Sequence, residues 1–170
     1  NRGMIKRTFL SEGIQRSSDL ALENARDLIK IIKWNNENGF NLFRISSDIV
    51  PWASEFDLKE MPDYERFSNL LKGAGTLAKQ YGQRITSHPG PFNVLVSPSE
   101  KVVQNTFKDL TTHGEMFDLL GLERSHYNPI NIHCNGVYGD KKSAMDRFCK
   151  NFEKLPDSVR TRLVVENDDK

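Results

Sequence analysis

DYERFSNLLKGAGTLAKQYGQRITSHPG, residues 63–90, holds one complete helix-to-strand unit. Phe67, Leu70, Leu71, Ala74, Leu77 and Ala78 recur at three- and four-residue spacing, which gathers them on one helical face. Gly73 and Gly75 weaken that helix locally. Gly82 is a natural C-terminal stop. QRITSH, residues 83–88, then reads as a short strand, and Pro89-Gly90 break it. The strand ends on a histidine.

The same unit recurs to either side. Upstream, residues 18–38 carry Leu22, Ala25, Ile29 and Ile32 at helical spacing, and Gly39 closes the helix. FNLFRISS, residues 40–47, is the next strand, followed by a loop through Pro51-Trp52. Downstream, Ser97-Pro98-Ser99-Glu100 reads as a capping box with proline at the first helical position. Val103, Phe107, Leu110, Phe117 and Leu120 line that helix, Gly121 ends it, and NPINIH, residues 128–133, follows as a strand. Asp140 suits the N-cap of a fourth helix lined by Ala144, Phe148 and Phe152, with Pro156 just past its end. RLVVE, residues 162–166, is the last strand. Strands alternating with helices of this length predict a parallel sheet with right-handed crossovers.

Size and composition bound the answer. A chain of 170 residues is long enough for one domain with a sizeable core. It is short of the about 250 residues of a closed eight-stranded α/β barrel. Hydrophobic residues at 37% and charged residues at 28% are those of a soluble globular protein. A net charge of +1 excludes a strong global field for nucleic acid and leaves room for a local basic groove. No run of about 18 apolar residues is present to cross a membrane. The first ten residues do not suit a signal peptide. Cys134 and Cys149 form no C-x-x-C pattern and read as two reduced thiols. An intracellular location is expected.

In parallel α/β folds ligands bind at the carboxyl ends of the strands. Three of the strands end in a metal-ligand type: His88, His133 and Glu166, the last followed by Asn167, Asp168 and Asp169. A fourth runs into Asp48. Two imidazoles and a carboxylate on one rim suit Zn²⁺ or Mn²⁺, and extra carboxylate or water shifts the preference to Mn²⁺. Such an ion activates water and clamps a phosphate oxygen. The alternative is that each histidine ends its strand by chance and bonds a loop backbone. His113 sits between Leu110 and Phe117 and reads as a packed core histidine. His126 precedes a strand, at the end away from the chemistry. Trp52 either stacks on a base or packs. Phe92, in the loop Gly90-Pro91-Phe92-Asn93, either wedges into a duplex or anchors the loop in the core. Lys141 and Lys142 either touch phosphate or form a solvated helix start.

Four blocks in order carry a family resemblance: FRISSDIVPWAS (residues 43–54), ITSHPGPF (85–92), INIHCNGVYGDK (130–141) and LVVENDD (163–169). Together with IKWNNENG (32–39) they resemble successive signature blocks of the UV-damage endonuclease family over nearly the whole chain. The resemblance implies a TIM barrel related to apurinic-site endonucleases and xylose isomerase. It implies an enzyme that nicks damaged double-stranded DNA immediately 5′ to ultraviolet photoproducts, and often abasic sites. It implies a cluster of divalent metals, Mn²⁺ favoured over Zn²⁺ or Mg²⁺. By the same resemblance His88, His133 and Glu166 are the metal ligands through which catalysis runs, the three residues that strand ends select independently.

The chain departs from the family pattern at defined places. The family's Gln-Tyr after H-P-G probes the damaged bases, and here Pro91 and Phe92 stand there as the lesion-binding pair. The aromatic is kept for stacking, and the amide and hydroxyl are lost. Glu55 stands where the family often has a metal-site histidine, and Asn135-Gly136 where it has two glycines. The fold expected is α/β, a TIM (β/α)8-type barrel of which residues 1–170 supply one partial domain, roughly strands 2 to 5, without the first strand and the C-terminal half. The full-length protein is expected to be a monomer. A sugar isomerase on the same barrel, told apart by turnover of aldoses, is one alternative. A catalytically incomplete fragment that only binds DNA or a partner is the other.

Overall fold

The structure is a computed structural model and describes residues 1–167. Asp168 and Asp169 lie outside the described residues. Strands β1 (Leu42–Ile45), β2 (Arg84–Ser87), β3 (Ile130–His133) and β4 (Leu163–Glu166) form one sheet in the order β1-β2-β3-β4, every neighbouring pair parallel. Helices α1 (Lys6–Glu37), α2 (Tyr64–Gln80), α3 (Glu100–Leu119), α4 (Lys141–Phe152) and α5 (Asp157–Arg160) make the connections.

Strand alternation sorts the side chains onto two faces. Ile45, Ile85, Ser87, Ile130 and Ile132 are buried against the helices. There they join Ala21, Leu22, Ala25, Leu28 and Ile32 of α1, Phe67, Leu71, Ala74 and Ala78 of α2, and Leu110 and Phe117 of α3. The opposite face is open: Leu42 is 58% exposed and Val164 36%. This is the arc of a TIM-type barrel, its helical layer outside and its inner face uncovered.

Several local expectations change. α1 starts at Lys6, twelve residues before the expected start at Ser18, and is kinked at Gly13 (φ 63°, ψ −154°). α3 starts at Glu100 with Ser99 as N-cap, so Pro98 lies outside the helix and the expected capping box is not formed. Ser97 Oγ instead accepts from the Ser99 amide at 3.1 Å, a local turn that competes with a cap. Pro156 does more than end α4, because it occupies the N-cap position of α5. Asp140 caps α4 as expected, its carboxylate accepting from the Lys142 and Ser143 amides at 3.0 and 3.3 Å. The hydrogen bonds from Ser143 and Lys142 hold that carboxyl below its usual range.

Two features fix the helical layer at the base of the arc. A Cβ at Gly75 would lie 1.7 Å from the Leu120 carbonyl oxygen, so only glycine lets α2 approach the end of α3 this closely. Arg162, just before β4, is fully buried. Its guanidinium donates to the carbonyls of Ser158 (2.8 Å), Leu122 (2.7 Å) and Glu123 (3.1 Å) and to Asp118 Oδ1 (2.9 Å). Burial pushes Asp118 up, but hydrogen bonds from Arg124 and Arg162 outweigh it and hold the carboxyl below its usual range.

Candidate metal centre

The register of the sheet assembles the rim. Ser87 pairs with Ile130, so His88 leaves β2 level with the middle of β3. His133 pairs directly with Glu166. The two-residue period then places Thr86, His88, Asn131, His133 and Glu166 on the inner face. One ligand atom each of His88, His133 and Glu166 lies within 4.8 Å of the others. Among the described residues this is the trio of His, Cys, Asp or Glu that converges in this way. The rings of His88 and His133 meet edge to face at 64°, centroids 5.0 Å apart.

Contacts within the trio bear on what it can hold. His88 Nε2 lies 3.3 Å from Glu166 Oε2, and His88 Nδ1 lies 3.2 Å from the Pro89 carbonyl. Both ring nitrogens therefore face an acceptor. A neutral imidazole has one N–H, so when Nδ1–H donates to Pro89 the Nε2 lone pair faces a carboxylate oxygen. A cation between those two atoms resolves the conflict. Two ligands about 2.1 Å from one tetrahedral ion stand about 3.4 Å apart, so a pair at the 4.8 Å limit closes by about 1.4 Å when an ion is held. The donor set fits a divalent transition-type ion.

Asn131, which sequence reasoning missed, supports the carboxylate: its Nδ2 donates to Glu166 Oε2 at 2.9 Å. That bond, and then the one from His88, hold the Glu166 carboxyl below its usual range. Glu166 therefore stays an anionic ligand to lower pH than an unsupported glutamate. The sequence signal for Asn131 was its position two residues before His133 on the same strand face.

The other candidates separate clearly. Phe92 is 86% exposed and Pro91 is exposed as well, so Phe92 does not anchor its loop. Asn93 is the anchor, buried and bonded to the Gly90 carbonyl (3.0 Å) and Asp109 Oδ2 (2.7 Å). Glu55 is exposed and lines a groove of ≈ 470 Å³ with Asp48, Pro91, Phe92 and Asp109; it is not one of the converging trio. Trp52 is not available to stack on a base: it stacks on Phe9 at 5.3 Å and donates from Nε1 to the Met4 carbonyl at 3.0 Å. His113 is 1% exposed, as its helical neighbours implied, and burial pushes its pKa down. His126 is exposed at the far end of the strands. Cys134 and Cys149 are free thiols, and Lys141 and Lys142 are exposed at the start of α4.

The chain is a parallel α/β barrel arc that carries a histidine–carboxylate trio, a candidate metal site, at its carboxyl-end rim. Comparison with known families makes this specific: residues 6–170 match the family described as UV-endonuclease UvdE, and the chain belongs to it. The chain is 37% identical over 164 residues to the UV-damage endonuclease of Schizosaccharomyces pombe, covering 95% of this chain and 27% of that protein. It is 37% identical over 170 residues to the UV DNA damage endonuclease of Clostridium perfringens, covering 100% of this chain and 40% of that one. The crystal structure of SacUVDE superposes with a TM-score of 0.88 at 32% identity, over 100% of this chain and 56% of that chain. The chain thus spans about half or less of the length of these relatives. No described helix is long and apolar enough to cross a membrane.

Proposed function

We propose that this chain is part of a DNA-repair endonuclease that cuts damaged double-stranded DNA 5′ to ultraviolet photoproducts, and also at abasic sites. The observation that carries this reading is the convergence of His88, His133 and Glu166 on the rim that also presents the exposed Phe92. The protein at family length works as a monomer inside the cell, and residues beyond this chain complete the ligand set. Residues 1–170 alone give little or no incision, because four strands leave the barrel open.

In this mechanism His88, His133 and Glu166 hold divalent cations, Mn²⁺ before Zn²⁺ or Mg²⁺. Cations held there would supply Lewis-acid polarisation of the scissile phosphate and would lower the pKa of water at neutral pH. With a cation at Nε2, His88 would carry its proton on Nδ1 and donate it to the Pro89 carbonyl, which would fix the ring's orientation. Asn131 fixes Glu166 Oε2 and keeps it ionised. Phe92 enters the duplex beside the lesion and stacks on a displaced base, with Pro91 stiffening its approach. Displacement costs least where the lesion has already weakened stacking and pairing, and selectivity follows from that difference.

The test is incision of a duplex carrying one photoproduct by the full-length parent with Mn²⁺. A single nick 5′ to the lesion, abolished by chelation, is expected. A metal-loaded parent that leaves the duplex intact would sink the reading, and turnover of an aldose would move it to a sugar isomerase.

A further inference from the structure

Behind the rim, one face of α3 holds both ends of the segment 88–92, and the mechanism above makes no use of it. At the N-terminal end, Ser87 Oγ and His113 Nδ1 are 2.9 Å apart, both buried. At the C-terminal end, Asn93 Nδ2 donates to Asp109 Oδ2 at 2.7 Å, and the next amide, Val94 N, donates to Thr106 Oγ1 at 2.9 Å. Asp109 and His113 are four residues apart on α3 and so face the same way. His113 Nε2 lies 3.9 Å from Asp109 Oδ2, beyond hydrogen-bond length but close enough for the carboxylate to favour a proton on Nε2. That tautomer leaves Nδ1 to accept from the Ser87 hydroxyl. Asn135, two residues past His133, adds a further tie by donating from Nδ2 to the Asn93 carbonyl at 3.0 Å. The segment so pinned contains His88 at one end and Phe92 at the other.

We propose that Asp109 and His113 are positioning residues that brace this segment at both ends, so that Phe92 engages the lesion only in the geometry that brings the scissile phosphate to His88. The proposal rests on reading the chain as a damage-specific nuclease. If the network served only to satisfy buried polar groups, its loss would lower stability and leave lesion discrimination alone. If it acts through the loop, its loss and the loss of Phe92 overlap.

A double-mutant cycle separates the two. Binding of photoproduct and undamaged duplexes to the full-length parent is measured by fluorescence anisotropy in EDTA, which removes metal and cleavage from the readout. Phe92→Ala is expected to lower the damaged-to-undamaged affinity ratio about tenfold, the low end for loss of a stacking aromatic. Asp109→Ala is expected to lower it by a similar factor, and the double variant no further than Phe92→Ala alone. Asp109→Asn is expected to stay within about twofold of the unsubstituted protein, because its amide oxygen still accepts from Asn93. Asp109 is a third exposed on a helix, so alanine is tolerated there; should Asp109→Ala fail to fold in a urea titration, Ser87→Ala at the other end runs the same cycle. A ratio unchanged by cutting the brace, or single effects that multiply in the double variant, would overturn the proposal. An unsubstituted parent with no preference for the damaged duplex would instead defeat the nuclease reading.

Discussion

Replacing Asn131 by leucine tests how the carboxylate of the centre is held. Asn131 Nδ2 and His88 Nε2 both approach Glu166 Oε2, at 2.9 and 3.3 Å. When His88 turns its lone pair to an ion, its contact with Oε2 can no longer be a hydrogen bond, and the Asn131 amide still donates to that oxygen. Leucine is close in size and offers no donor. The partners that orient metal ligands are each worth about ten- to a hundredfold in metal affinity. Glu166 is exposed on the open inner face, where water partly replaces a lost donor, so about tenfold weaker Mn²⁺ binding is expected. The assay is calorimetric titration of the metal-free parent with Mn²⁺ at constant pH. Far-UV circular dichroism should be unchanged, since the β3–β4 backbone pairing does not involve the side chain. The carboxyl of Glu166 should also move up towards its usual range, visible by NMR of the side chain. A dissociation constant within about twofold of the unsubstituted protein would refute the role given to Asn131.

Asp118→Asn leaves the buried Arg162 guanidinium without its carboxylate. Because Asp118 is itself a third exposed, about 2 kcal/mol is expected, below the usual loss for a buried pair. Asp118 sits below its usual range in the fold, so its contribution is present above the unfolded carboxylate pKa and is lost as pH falls through the lower folded value. Urea titrations from neutral pH down should lose that acid limb in the variant; parallel curves would contradict this. Gly75→Ala puts a Cβ on the Leu120 carbonyl and should cost about 3 kcal/mol, the upper end of overpacking, read as a lower urea midpoint. Loading a cation between His88 Nε2 and Glu166 Oε2 displaces any proton held there, so Mn²⁺ affinity should fall as pH falls, with a heat that depends on the buffer's ionisation. Equal affinity at pH 6 and pH 8 would contradict that.

Most of the rim was legible in the sequence because strands have a period of two and parallel crossovers put every carboxyl end on one side. His88, His133 and Glu166 could be selected from strand ends alone. The supporting contacts were not: strand alternation puts Asn131 on the face of His133 but does not show that it bonds Glu166, and the Asn93 to Asp109 tie that anchors the loop after His88 crosses from loop to helix. Ser97-Pro98-Ser99-Glu100 misled because a cap needs its serine to face the helix, and Ser97 turns back on Ser99 instead. The start of α1 was hidden because Gly13 breaks the helical backbone ahead of the periodic stripe. Gly75 read as a weak point of α2, and only the approach of Leu120 shows why a side chain is excluded there. Arg162 was one of many charges in the chain, and its burial depends on carbonyls from two separate segments, Leu122-Glu123 and Ser158.

Anomalous difference density at the manganese edge, from crystals of the full-length parent grown with Mn²⁺, bears most directly on the metal centre. A peak bounded by His88 Nε2, His133 and the Glu166 carboxylate is expected, and it should vanish in His133→Ala crystals. Manganese bound only elsewhere, or those three side chains ordered with no peak between them, would contradict the assignment.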